Sequence, residues 1–149
     1  MHTATDVAKW ILNYNNVQME EAGADFISNL KLQKLLYYAQ GCALAFLDRC
    51  LFKDDIVAWE HGPVVEAVYH QYKVNEGRGI EKFGCIQEYY SPEEEAVLKT
   101  MYENFAQYSA WGLRNMTHRE TPWRETLKNH VIPADKIKNY FLHHYVESN

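Results

Sequence analysis

The sequence predicts a mainly α-helical fold, a compact bundle of six to seven helices with one short β-hairpin near residues 50–60. Three observations predict it. Apolar residues recur at spacings of three and four along most of the chain, the period of one helix face. Serine, threonine and proline stand where helix starts need them. Segments with strand character do not alternate with helices, so a parallel sheet is not expected.

Each element follows in chain order. A first helix is expected over about 5–14, with Thr5 as N-cap, Asp6 at the positive end of the dipole, and Val7, Ala8, Ile11 and Leu12 as its apolar stripe. Residues 13–25 are polar and contain Gly23, and read as a loop. Ser28 or Asn29 caps a long second helix reaching about residue 48, which carries "KLQKLLYYAQGCALAF". There Leu32, Leu35, Leu36, Ala39, Ala43, Phe46 and Leu47 share a face. Lys31, Lys34 and Gln40 break the apolar run before it reaches the roughly eighteen residues of a membrane span. Gly41 reads as a point of close helix approach. Asp54-Asp55 reads as a turn between Leu51-Phe52 and Ile56-Val57-Ala58. Pro63 suits the first position of a third helix, with Val64, Val65, Val68, Tyr69 and Tyr72 on its apolar side.

Residues 75–90 hold three glycines and little periodicity, and are expected to form a mobile loop. Ser91, Pro92 and Glu94 then give a strong helix start, followed by Val97, Leu98, Met101, Tyr102 and Phe105 at helical spacing. Ser109 caps a fifth helix to about residue 117, Thr121-Pro122 opens a short turn around Trp123, and an amphipathic helix with Ile137, Tyr140, Phe141 and Tyr145 closes the chain. The expected buried set is Leu32, Leu35, Leu36, Trp59, Val68, Leu98, Met101 and Phe141.

With 149 residues, the chain fits one domain, 1–149. Fifteen basic and twenty acidic residues leave a formal charge of −5, which argues against non-specific nucleic-acid binding, whose affinity comes from neutralising phosphates. Three widely spaced cysteines without a CxxC read as reduced thiols of a cytoplasmic protein. Neither a signal peptide nor a lipidation motif is legible, so no membrane partner is expected, while self-association stays open.

Enzyme chemistry finds little support. His118-Arg119-Glu120 matches the H-x-E half of a zinc deaminase signature, but the P-C-x-x-C half is missing. Phosphate-binding, dinucleotide-binding and metalloprotease motifs are absent, so no catalytic residue, metal or cofactor is assigned. Two alternatives remain to be weighed against the structure. One is a small metal-dependent enzyme using His61, His118 and Glu120; the other is a nucleic-acid-linked phage regulator using Lys31 and Lys34. Residues 109–123 admit two readings. They form a structural corner, in which His118 caps a helix and Trp123 fills a gap, or a polar-aromatic surface for a partner. Arg114 and His118, four apart, share a helix face in either case. Lys31, Lys34, Tyr38 and Cys42 form a second stripe that either packs on another helix or contacts an acidic partner.

Four blocks, "LKLQKLLYYAQG", "IVAWEHGPVVEAVY", "LRNMTHRETPWRE" and "IPADKIKNYF", follow one another at telling separations. Together they resemble the SocA-like antitoxin family, or Panacea domain, which includes phage-associated GepA-type proteins. The resemblance implies a small, helical, non-catalytic antitoxin that neutralises a cognate toxin protein of a bacterial or prophage toxin–antitoxin system. It places the family pattern on Lys31, Gln33, Lys34, Tyr37, Tyr38, Trp59, Gly62, Pro63, His118, Pro122 and Trp123. Lys31, Lys34 and Tyr38 are expected near Trp59, His118 and Trp123, with Lys34 exposed for a partner. The 75–90 loop is a second candidate contact.

Overall fold

A computed structural model describes residues 1–75 and 77–146. It is mainly helical with one small antiparallel hairpin, as the periodicity predicts. The elements are α1 (Ala4–Ala22), α2 (Asn29–Leu47), β1 (Val57–Trp59), β2 (Gly62–Val64), α3 (Glu66–Tyr72), α4 (Pro92–Phe105), α5 (Ala110–Arg119), α6 (Thr121–Arg124) and α7 (Ala134–His144). Among the described residues, no helix is long and apolar enough to cross a membrane.

The α2 helix is the axis of the fold. It packs against α1, α3, α4, α5 and α7 and against β2. A helix with neighbours on so many sides must be apolar nearly all round, and α2 is buried from Leu32 through Leu44. Its buried polar side chains are therefore all engaged, the two glutamines on backbone groups. Gln40 Oε1 accepts from the Leu51 and Phe52 amides at 2.8 and 3.1 Å, and its Nε2 donates to Phe52 O at 2.9 Å. Gln33 Oε1 accepts from the Val65 amide at 2.9 Å, pinning the start of α3. Gly41 is the close approach expected of it, because a Cβ there would overlap the Phe141 ring of α7.

The cap signals of α2, α4 and α5 are borne out. Ser28 and Ser109 each accept the amide three residues on, from Lys31 and Gly112, and Ser91 with Glu94 forms a reciprocal capping box. Of the expected core, Leu32, Leu35, Leu36, Val68, Leu98, Met101 and Phe141 are fully buried, whereas Trp59 is only half-buried.

Several expectations need correction. The first helix starts after Thr3, not Thr5, and runs on to Ala22 through residues expected to be a loop. Residues 18–22, Gln-Met-Glu-Glu-Ala, are good helix formers, and Gly23 stops them with φ 74, a left-handed conformation that glycine adopts without strain. Asn15 anchors the extension: its Nδ2 donates to Asp25 O and its Oδ1 accepts from Tyr102.

The hairpin turns at Glu60-His61 rather than Asp54-Asp55, and Pro63 lies in β2 opposite Ala58 instead of starting α3. Ala58 directs its amide to His130 O and its carbonyl to the Asn129 amide, on the side away from β2. Its partner therefore needs no donor, and proline fits. Asp54 instead accepts the Ala4 amide at the start of α1.

Residues 77–90 run beside α1 as an extended segment. Ile80 donates to Ile27 O, Gln87 N donates to Asp6 Oδ1, and Tyr90 OH donates to Asp6 Oδ2. Glu76, within the expected mobile loop, lies outside the described residues.

Candidate partner-binding corner

Three of the four blocks that the resemblance singles out meet where α2, the hairpin, α5 and α6 come together. The N-terminal half of α2 contributes two buried polar arrays on neighbouring turns. The first centres on Glu120, the residue between α5 and α6, only 2% exposed. Its carboxylate accepts from Tyr37 OH at 2.8 Å, Tyr38 OH at 2.8 Å and Tyr145 OH at 2.5 Å. Burial pushes the Glu120 carboxyl up, and the three hydroxyls, Tyr145 first, oppose that by hydrogen bonding to the ionised form. The same burial, with the carboxylate nearby, pushes the phenols of Tyr37 and Tyr38 upward, so they stay donors. This array ties α2 to the α5–α6 junction and to the end of α7.

The second array centres on Lys34, which is fully buried. Its Nζ donates to Pro63 O at 3.0 Å. Desolvation, with the neighbouring Arg114 guanidinium second, brings its pKa down to about 7. Gly62 closes over the lysine with φ 118; a Cβ there would lie 2.7 Å from Lys34 Cε and 3.0 Å from Thr117 Oγ1. Only glycine combines that backbone conformation with that proximity.

On the outer side, the His118 imidazole stacks on Trp123 with ring centroids 3.8 Å apart. Trp123 is 8% exposed, and its Nε1 donates to Trp59 O at 2.7 Å, locking α6 onto the hairpin. Pro122 is buried behind it.

Most of the predicted site thus comes together: Gln33, Lys34, Tyr37, Tyr38, Trp59, Gly62, Pro63, His118, Pro122 and Trp123 lie in or against this corner. Lys31 does not. Its Nζ donates to Ala106 O at 2.6 Å, after α4, and Asp25 is its charged neighbour. The expectation of an exposed Lys34 is overturned, and with it the reading of Lys31 and Lys34 as a basic surface stripe for nucleic acid. Tyr38 is likewise buried, stacked on Phe105.

The metal-enzyme alternative also loses its geometry. Glu120 faces three tyrosines, while His118 faces Trp123. Among the described residues, the His, Cys, Asp and Glu side chains close enough together to share an ion are His2, Asp6 and Glu88. There Asp6 already accepts Gln87 N and Tyr90 OH, and His2 lies between Glu88 and Glu94. His118 does not cap α5 with a hydrogen bond, and Glu120 rather than Thr121 occupies the N-cap of α6.

Sequence reasoning missed Trp111, Lys128 and Tyr145. The Trp111–Arg114 pair, three apart on α5, was legible as a helix-face contact. The place of Tyr145 on Glu120 left no local signal.

Comparison with known proteins identifies a family. The family model described as "Antitoxin SocA-like, Panacea domain" matches residues 32–124, which holds the whole corner apart from Tyr145 and Lys128. A curated relative, Antitoxin SocA of Caulobacter vibrioides (strain NA1000 / CB15N), is 47% identical over 49 residues, covering 33% of this chain and 26% of the relative. The matched stretch therefore spans about a quarter of that relative's length. No solved structure matches. Because that family model covers more than half of the sequence, the chain belongs to the SocA-like antitoxin family, with its Panacea domain.

Proposed function

We infer that the protein is a non-catalytic antitoxin that binds and neutralises a cognate toxin protein in the cytoplasm. Family membership is the observation that carries this reading. The corner supports it in a particular way. Its pattern residues are largely buried and bonded to one another, so they build a rigid platform. The contact surface is then the exposed rim around it: Trp111, 56% exposed and stacked under Arg114, with the half-buried Trp59. Large aromatic side chains on a rigid support are the usual anchors of protein interfaces.

The test is co-expression with the product of the adjoining reading frame. Growth arrest by that product alone, rescue by this protein, and co-purification of the two are expected. Rescue with no physical complex, or no toxicity in the neighbouring product, would defeat the reading. A Trp111→Ala variant should keep its fold and lose affinity by about tenfold or more.

A further inference from the structure

The corner carries cations that its own buried acid does not pair with, because the Glu120 carboxylate is taken up by three tyrosines. Arg114 and Lys128 are both held by tryptophan faces instead of carboxylates. The Arg114 guanidinium carbon lies 4.3 Å from the Trp111 ring centroid, and Lys128 Nζ lies 3.9 Å from that of Trp123. Among the described residues, no carboxylate pairs with Arg114, Lys128 or Lys34. Among the described residues, three buried side-chain polar atoms lack a hydrogen-bond partner, and two of them are here: Arg114 Nε and His118 Nε2. Buried groups are rarely left so. Lys34 uses one of its three donors, on Pro63 O. The His118 ring is depressed in pKa by burial and then by Arg114, Lys128, Lys34 and His61, which shows how closely these groups converge. All this sits in a chain whose formal charge is −5.

We propose that this corner is an anion-accepting site, in which Arg114, Lys128 and His118 receive the carboxylates of an acidic segment of a protein partner. A protein segment is favoured over a phosphate ligand because the cations are interleaved with Trp111 and Trp123, whose faces offer apolar contact beside each charge. The tryptophans hold the cations in position without neutralising them, so little side-chain freedom is lost on binding. A carboxylate arriving at His118 brings an acceptor to a ring surrounded by cations and favours its protonated form. The inference names the partner chemistry of the antitoxin reading and rests on it for the partner's identity alone.

The experiment titrates the full-length protein with hexaglutamate peptide, and separately with hexaglutamine, at low ionic strength, where screening reaches to about 30 Å. The readouts are the indole N–H signals of Trp111 and Trp123 and the titration of His118, followed by NMR. Saturable shifts with hexaglutamate alone and an upward move of the His118 midpoint are expected. Both should vanish in Arg114→Gln/Lys128→Gln; Lys128→Glu, a change at an exposed residue, should weaken binding without altering the melt. Absence of a saturable response, or an equal response in the double variant, overturns the proposal. Tighter binding of inorganic phosphate than of the peptide overturns its assignment to protein carboxylates. Failure to find any toxin defeats the antitoxin reading and leaves this titration to decide the site by itself. With a toxin in hand, Lys128→Glu should weaken the complex by about tenfold or more.

Discussion

Lys34 makes the stability of this protein depend on pH in a window where few other groups titrate. Its folded pKa is down to about 7, against 10.5 for a solvated lysine, because burial disfavours the ammonium. Between those values the unfolded chain binds a proton that the native protein does not, so stability rises with pH. At about 1.36 kcal/mol per unit, the full window is worth roughly 5 kcal/mol, and the step from pH 7 to 9 roughly 2 kcal/mol. For a chain of this size that step corresponds to about 4–8 °C in Tm. Lys31, lowered chiefly by burial, adds stability in the same direction as pH approaches the ordinary lysine value, and it is unchanged in a Lys34 variant. His118, with a lowered pKa, adds stability only as pH rises toward the ordinary imidazole value. Cys42, pushed up to about 12 by burial, subtracts stability only above the ordinary thiol value of 9. The assay is urea unfolding at pH 7, 8 and 9 of the wild type and of Lys34→Met, which keeps the length of the side chain and removes the charge. Across the series the wild type should gain about 2 kcal/mol more than Lys34→Met does. Parallel curves for the two proteins would refute the reasoning and place Lys34 in contact with water.

Three further outcomes follow from the packing. Glu120→Ala removes the acceptor shared by Tyr37, Tyr38 and Tyr145 and should cost at least about 3 kcal/mol in urea unfolding, since each stranded buried hydroxyl costs about 1–3 kcal/mol. Gly41→Ala, which drives a methyl group into the Phe141 ring, should destabilise by about 1–3 kcal/mol, and a neutral result in the same measurement would mean that α2 and α7 are less closely packed. The three thiols should react with a disulfide reagent in the order of their exposure: Cys85 at once, Cys50 more slowly, and Cys42 only on unfolding, because it is buried and its thiolate is disfavoured.

The sequence by itself determined what local physics sets. Helical periodicity placed α2, α4, α5 and α7, and the Ser28, Ser91 and Ser109 caps marked their starts, because a cap bond closes within three residues of its source. The spaced blocks also identified the family, since their order and residue types are visible in the string alone. Tertiary structure decided the rest. Polarity made residues 16–22 resemble a loop, but a helix leaving the core needs only good propensity and a glycine to stop it. Pro63 resembled a helix start until the hydrogen bonds of Ala58 to residues 129 and 130 made room for it in β2. Lys34 resembled a surface lysine, because the turn and Thr117 that enclose it come from two other parts of the chain. Tyr37 reaches Glu120 across 83 positions, and Tyr145 reaches it from the far end of α7. Periodicity tells a residue which face of its own helix it occupies. Whether that face meets water, a carbonyl or a carboxylate depends on which distant segment folds against it.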